Sequence, residues 1–325
     1  AENPDNNFFP GTGRLIHLST PHPSNHVRID TGVRQGDEVS VFYDPMIAKL
    51  VVWDQDRKAA LQRMLHALEQ YQVIGLTTNI TFLKRLVTHP QFILGKVGTF
   101  FIPRYKDTLL PPPKPIPGYA VGLASLGVIL DELTTQYPGS YLEKNSPFAA
   151  NNARRLNMNH TRDIQFLDGE NQINVAVQYN SDGSFGVKLP GSNEFVPAKG
   201  AMDGTELTAS IGDELIKATV VVNDFTVHVF AHGQSFSLKI PVKDYSGASA
   251  VKGSLLSPMP GRITKVLVQV GDQVKKGAPL IIMEAMKMEH TIRSPVDGTV
   301  KKINYKVNDL VGEKQLLAAI EEDSK

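Results

Sequence analysis

One stretch of the chain combines residue types and a position that could do covalent chemistry: Glu284-Ala285-Met286-Lys287-Met288-Glu289-His290. A lysine amine can be acylated, and the amide is a stable tether for a prosthetic group. Most lysines at hairpin tips are ordinary surface residues. Here the flanking Met286 and Met288 argue for more, because an apolar side chain left exposed at a tip forgoes about 1.5–3 kcal/mol of burial. Methionine is unbranched and adaptable, which suits a surface that enters a partner's active site. The other routes to chemistry are thin. The chain has no cysteine, which excludes disulfides, thiolate metal sites and a cysteine nucleophile. His17, His22 and His26 cluster on a proline-interrupted stretch without carboxylates, so no metal site is expected there. Gly11-Thr12-Gly13 is too short for a phosphate-binding glycine loop.

The elements that must position Lys287 follow from a duplication. Ser257-Pro258-Met259-Pro260-Gly261 recurs as Ser294-Pro295-Val296-Asp297-Gly298, and Val270-Gly271-Asp272-Gln273-Val274 recurs as Val307-Asn308-Asp309-Leu310-Val311. Leu280 falls on Leu317 at the same offset. Each half carries a turn, a strand (263–268 and 300–305), a Gly/Asp turn and a second strand. Two such halves can bury their apolar faces on each other as a flattened all-β barrel with approximate two-fold symmetry, while two copies are too few for a solenoid. The strand Leu280-Ile281-Ile282-Met283 leads into the lysine segment and Thr291-Ile292 leads out. The spacing therefore predicts Lys287 at a hairpin tip, its amine in solvent and its backbone held on both sides.

The rest of the chain divides at two linker-like stretches. Pro111-Pro112-Pro113-Lys114-Pro115-Ile116-Pro117-Gly118 lacks too many amide donors for helix or central strand. The run 243–250 is small and polar, as flexible linkers are. Three segments are expected: 1–105, 106–245 and 246–325. The first reads as α+β, with strands over 38–43 and 46–53, a helix over 57–71 and a second helix capped by Asn79. The second reads as one apolar helix over 120–133 followed by short strands with Asp168-Gly169 and Asp182-Gly183 turns, a helix plus an antiparallel β-barrel or sandwich. The formal net charge of +1 argues against a general nucleic-acid binder. No apolar run approaches the roughly 18–20 residues of a membrane span. Ala1-Glu2-Asn3-Pro4 has neither an initiator methionine nor the pattern of a signal peptide, so the chain is expected to be a processed product or a piece of a longer one.

Ala285-Met286-Lys287-Met288, set between repeat halves and preceded by Pro258-Met259-Pro260-Gly261, resembles the biotin-attachment motif of biotin carboxyl carrier domains. Lipoyl domains are the rival, since they share the expected fold. They typically place Asp before the lysine and Ala after it, unlike Met286 and Met288. The first segment is similar to the C-terminal part of biotin carboxylase domains. That likeness is carried by Ala1-Glu2-Asn3-Pro4, Phe9-Pro10, Val27-Arg28-Ile29-Asp30, Tyr43-Asp44-Pro45-Met46-Ile47-Ala48-Lys49-Leu50 and Gly75-Leu76-Thr77-Thr78-Asn79. The order of segments resembles the layout of biotin-dependent acyl-CoA carboxylase α subunits. The wording over Gly32 to Val41, Arg154-Arg155-Leu156-Asn157 and Glu284 to His290 is most like the methylcrotonyl-CoA branch, with the propionyl-CoA branch as competitor.

The resemblance implies a set of expectations. Biotin would sit covalently on Lys287, with Glu284, Ala285, Met286 and Met288 as the cofactor-binding residues beside it and Glu284, Met286 and Met288 as part of the surface a ligase reads. Arg28 would be catalytic, its planar donor fork suiting carboxylate-like and enolate-like oxygens. ATP, bicarbonate and Mg or Mn would belong to the remainder of the biotin carboxylase domain, N-terminal to Ala1, so this chain alone should not carboxylate biotin. The implied partners are that remainder, a biotin–protein ligase and a carboxyltransferase β subunit in a hetero-oligomer. The implied location is the mitochondrial matrix.

Overall fold

The computed structural model describes residues 1–40, 42, 44–135, 160–180, 182–241, 254–257, 260–285, 288–312 and 315–322. The chain forms two compact units. One joins Ala1–Leu110 with Tyr245–Lys325, and the other is Pro111–Asp244. The linker-like run 243–250 lies outside the described residues.

The first segment is built from short ladders and small helices. Val27–Thr31 pairs antiparallel with Ala48–Val52, setting Arg28 opposite Val51 and Asp30 opposite Lys49. Helix Arg57–Gln70 starts where the Asp56 side chain accepts from the Ala59 amide at 2.8 Å, which satisfies one of the orphan donors of the first turn. Helix Ile80–Thr88 packs on it and contributes Phe82 to a core shared with Phe101 and Leu109. Three expectations need correction. The strand expected over 46–53 is Ala48–Val52, only half-buried, with Met46 and Trp53 exposed beyond its ends, because a two-stranded ladder leaves much of its surface open. The strand expected over 38–43 is the two residues Glu38–Val39, while Val41 and Tyr43 lie outside the described residues. Asn79 does stand at the start of its helix, but its side chain makes no cap. It donates instead to Glu2 Oε2 at 3.3 Å.

In the second unit the proline-rich stretch leads into helix Gly118–Thr135. Eight antiparallel strands follow, from His160–Asp168 to Gln234–Lys239, each paired with the next in sequence. The last closes on the first through Lys239↔Leu167, making a closed barrel rather than a sandwich. Gly169 and Gly183, at φ of +60° and +82°, take the left-handed turn positions that the Asp-Gly pairs signalled. Helix residues 120–129 are buried on every side and share one core with inward strand residues such as Phe166, Val177, Val220 and Val229. A helix that is apolar all round requires such an enclosure. Close packing demands small helix residues: a methyl group added at Gly127 would stand 2.4 Å from Val220 Cγ1. Near the helix's end, Glu132 accepts two bonds from the Arg162 guanidinium, the Nη2 bond measuring 2.9 Å.

The segment from Ser254 onward consists of two four-stranded sheets. One has the order Ser254–Leu256, Leu316–Glu322, Gly298–Ile303, Gln273–Val274; the other has Met288–Arg293, Pro279–Ala285, Gly261–Val266, Leu310–Val311. Adding the repeat offset of 37 residues to the Gly261–Val266, Gln273–Val274 and Pro279–Ala285 strands gives Gly298–Ile303, Leu310–Val311 and Leu316–Glu322. The duplication therefore exchanges the two sheets. Its symmetry reaches single hydrogen bonds. Ile263 N donates to Asp309 O and Val300 N to Asp272 O, both at 2.9 Å, and Asp272 and Asp309 each accept a local amide at 2.7 Å. The ladder irregularities recur too, between Ile263 and Lys265 and between Val300 and Lys302. Ser257 and Ser294, the paired starts of the repeat, are both buried. Gly261 and Gly298 are required by close approach: an added methyl group would stand 2.7 Å from Glu284 O and 2.1 Å from Glu321 O, themselves a repeat pair.

Candidate functional site

The lysine hairpin rises from the better-formed edge of this sandwich. Pro279–Ala285 and Met288–Arg293 pair antiparallel through Ile282↔Thr291, Met283↔His290, Glu284↔Glu289 and finally Ala285↔Met288. Alternation along the ladder sends Ile281, Met283 and Ala285 into the core and leaves Glu284 outward. On the returning strand, Glu289 is exposed while His290 and Ile292 are buried. Glu284 and Glu289 thus face solvent as an opposed acidic pair. Met286 and Lys287 fall between the closing pair and lie outside the described residues, as does the side chain of Met288. Of the residues singled out in the sequence, the fold thus brings Glu284, Ala285 and Met288 together at the end of one ladder.

Arg28 is held elsewhere, on the Val27–Thr31 strand. Its side chain is exposed, with Nε and Nη2 each 3.2 Å from a carboxylate oxygen of Asp30, two residues on and on the same face. Lys49 stands 3.7 Å from the same carboxylate. The fork is oriented by Asp30 and open to solvent. No described contact joins it to the hairpin. Among the described residues no cluster of three metal-ligating side chains exists, and the three early histidines do not converge: His17 bonds to Gln72 and His26 lies against Trp53.

Two residues were missed by sequence reasoning. The His290 ring is buried below the hairpin tip, and its Nε2 has no hydrogen-bond partner. Desolvation lowers its pKa below the ordinary 6.5, so it is a neutral, largely apolar ring in this setting. Phe9, from the first segment, packs against the carrier-segment core with its ring centroid 4.5 Å from that of His290 and a tilt of 33°. The period-2 pattern over Glu289-His290-Thr291-Ile292 could have placed His290 on the inner face. No local signal could have paired it with Phe9, because the two are far apart in sequence.

A family described as "Biotin carboxylase C-terminal domain" matches residues 1–104, and one described as "Biotin-requiring enzyme" matches residues 253–320. Residues 1–104 thus belong to the first of these families and residues 253–320 to the second. The chain is 48% identical, over 98% of its own length and 47% of the relative's, to the mitochondrial methylcrotonoyl-CoA carboxylase subunit alpha of Dictyostelium discoideum. The rat protein of the same name is 45% identical over 94% of this chain and 44% of its own. The mitochondrial propionyl-CoA carboxylase alpha chain of mouse is 29% identical, over 99% of this chain and 45% of the relative. The chain spans about half the length of the curated relatives it matches. The second family match covers both halves of the duplication, so the sandwich that carries the hairpin is a domain of the biotin-requiring kind.

Proposed function

We propose that the chain is the carrier-bearing portion of an acyl-CoA carboxylase α subunit, with biotin joined to the Lys287 amine as an amide. The observation that carries this reading is the hairpin register. From Ile281↔Ile292 the ladder keeps one register to Ala285↔Met288, so an arm joined between those last residues extends from the end of a sheet held rigid from below. Ala285 is small and buried, and Glu284 and Glu289 turn outward. The base of the tip is thus apolar and filled, while its flanks are acidic and open for a biotin–protein ligase to read, together with Met286 and Met288. When bound, biotin supplies a ureido nitrogen that accepts a carboxyl group and gives it up again.

The protein's own residues do the positioning. In a three-part layout of 1–105, 106–245 and 246–325, the run 243–250 tethers the carrier, which keeps its lysine at mM-range effective concentration around both reaction sites. Arg28 presents a permanently charged planar fork to an oxyanion, and Asp30 keeps that fork oriented. The remainder of the biotin carboxylase domain supplies the sites for ATP, bicarbonate and Mg or Mn. The segment 106–245 docks a carboxyltransferase β subunit. Higher identity to the methylcrotonoyl-CoA relatives than to the propionyl-CoA relative favours 3-methylcrotonyl-CoA as acceptor and the mitochondrial matrix as location.

The test is intact mass after co-expression with a biotin–protein ligase. A gain of one biotinyl group, with streptavidin capture abolished in Lys287→Ala, supports the reading. A lipoyl gain, or none, sinks it. In the complex assembled with the β subunit and the rest of the α subunit, Arg28→Ala should lower kcat for ATP-dependent carboxylation by roughly 100-fold or more, as loss of a charge-stabilising donor does, and leave biotinylation intact.

A further inference from the structure

The strands Glu2–Asn3 and Phe9–Pro10 are joined by the 3-10 turn Pro4–Asn6 and an elbow at Asn7 and Phe8 that leads into Phe9. Asn7 and Phe8 both take positive φ, 51° and 57°. Asparagine tolerates that region, but for an aromatic residue it is uncommon and persists only when surrounding contacts over-determine it. The contacts are present. The Phe8 ring meets Phe82 edge-on at 5.0 Å, inside the first segment's own core. The next residue, Phe9, turns the other way and joins the carrier-segment core, the only residue of the first segment to do so among the described residues. It covers His290, a buried ring whose Nε2 has no partner. Two adjacent phenylalanines are thus divided by a strained backbone, one as an anchor and the other as a plug.

We infer that the Asn7–Phe9 elbow is a docking surface for the carrier segment of the same chain, with the Phe9 ring seated on His290 as its contact. The dock holds the carrier by the strand Met288–Arg293, three residues beyond the lysine, so it grips the base of the hairpin and not its tip. The occupant is argued from the ring geometry and from chemistry. Stacking at 4.5 Å and burial of the Phe9 ring favour the contact, while the exclusion of water from the unpartnered Nε2 opposes it. Phe9 also packs on the apolar residues of the carrier-segment core. The inference does not depend on what Lys287 carries.

The absence of cysteine makes the test clean. In the full chain, the Asn6→Cys/Glu289→Cys pair, at exposed positions that leave both rings in place, treated with a bifunctional thiol reagent should cross-link roughly ten-fold faster than Asn6→Cys/Lys301→Cys, since docking raises the local concentration of the first pair above that of a free tether. Lys301 is an exposed control position on the opposite sheet. Equal rates for the two pairs, or no cross-link in the first, would overturn the proposal. Independently, Phe9→Ala should speed amide hydrogen exchange over residues 288–293 while leaving 298–303 unchanged. Unchanged protection over 288–293 would overturn it as well.

Discussion

The barrel of the second unit and the sandwich of the carrier segment solve one packing problem in two ways. Each is a β enclosure whose interior must be filled at close to crystal-like density. The carrier fills itself, because each half of the duplication supplies the face that covers the other. The barrel's eight strands do not repeat, and the interior they enclose is filled by a helix from outside the sheet. The tight contacts fall differently as a result. In the carrier the closest approach is glycine to backbone, at Gly298 and Glu321 O and at its repeat partner Gly261 and Glu284 O. In the barrel it is glycine to side chain, at Gly127 and Val220 Cγ1. A ladder carbonyl can move only with its hydrogen bonds, whereas a valine can be trimmed.

That contrast can be broken by mutation. The largest effect should come from Gly298→Ala, which costs the carrier about 3 kcal/mol or more, at the upper end for overpacking because backbone must shift. Exchange protection over residues 298–322 should fall accordingly, with Gly261→Ala a milder version at its longer 2.7 Å approach. No trimming of a neighbouring side chain should restore either. Gly127→Ala should cost the barrel less, about 1–3 kcal/mol of overpacking offset by up to ~1 kcal/mol of helix propensity. Here Val220→Ala should relieve the clash, giving a coupling of at least ~0.5 kcal/mol in a double-mutant cycle read from barrel amide exchange. Additive effects at Gly127 and Val220, or rescue at Gly298, would erase the distinction.

Two smaller predictions concern how each enclosure is tied at its edge. Arg162→Met removes the fork that binds the helix's Glu132. Both side chains are more than a third exposed, so solvent screening limits the loss to about 0–1 kcal/mol, shrinking further in high salt. His290 should give the carrier a pH dependence of its own. Burial depresses its folded-state pKa below 6.5, so the unfolded chain takes up a proton first as pH falls. Stability should be level above ~6.5, decline as pH drops through that value, and stop declining below the folded pKa. His290→Phe should flatten the decline, measured as protection over residues 279–293 across that range.

Much of the fold was legible because particular local signals agreed with it. The duplication showed which strands correspond, and the structure carries the correspondence down to paired aspartates and paired bulges. Gly169 and Gly183 marked true hairpin turns. The helix inside the barrel was visible from its apolar run. Its fate as a filling rather than a surface was not, because an all-apolar helix can be buried by its own barrel or by a partner, and only closure through Lys239↔Leu167 separates these cases. Asn79 illustrates the opposite failure: the residue type suited a cap, but Glu2, remote in sequence, took its side chain. The expected strand over 46–53 failed likewise, with Met46 and Trp53 left exposed beyond the ends of Ala48–Val52, since apolar content says nothing of how many strands will cover a face.

For the site, the sequence by itself determined the lysine segment, its placement between two like halves, and the alternation that turns Glu284 and Glu289 outward. These are local properties, set by the two-residue period of a strand and by a repeat that any fold must honour. Tertiary structure alone decided which rings meet. Phe9 reaches His290 because a strained elbow sends one phenylalanine into its own core and the next into the carrier's. The energy that holds that arrangement is spread over contacts far apart in sequence, and no single stretch of residues encodes it.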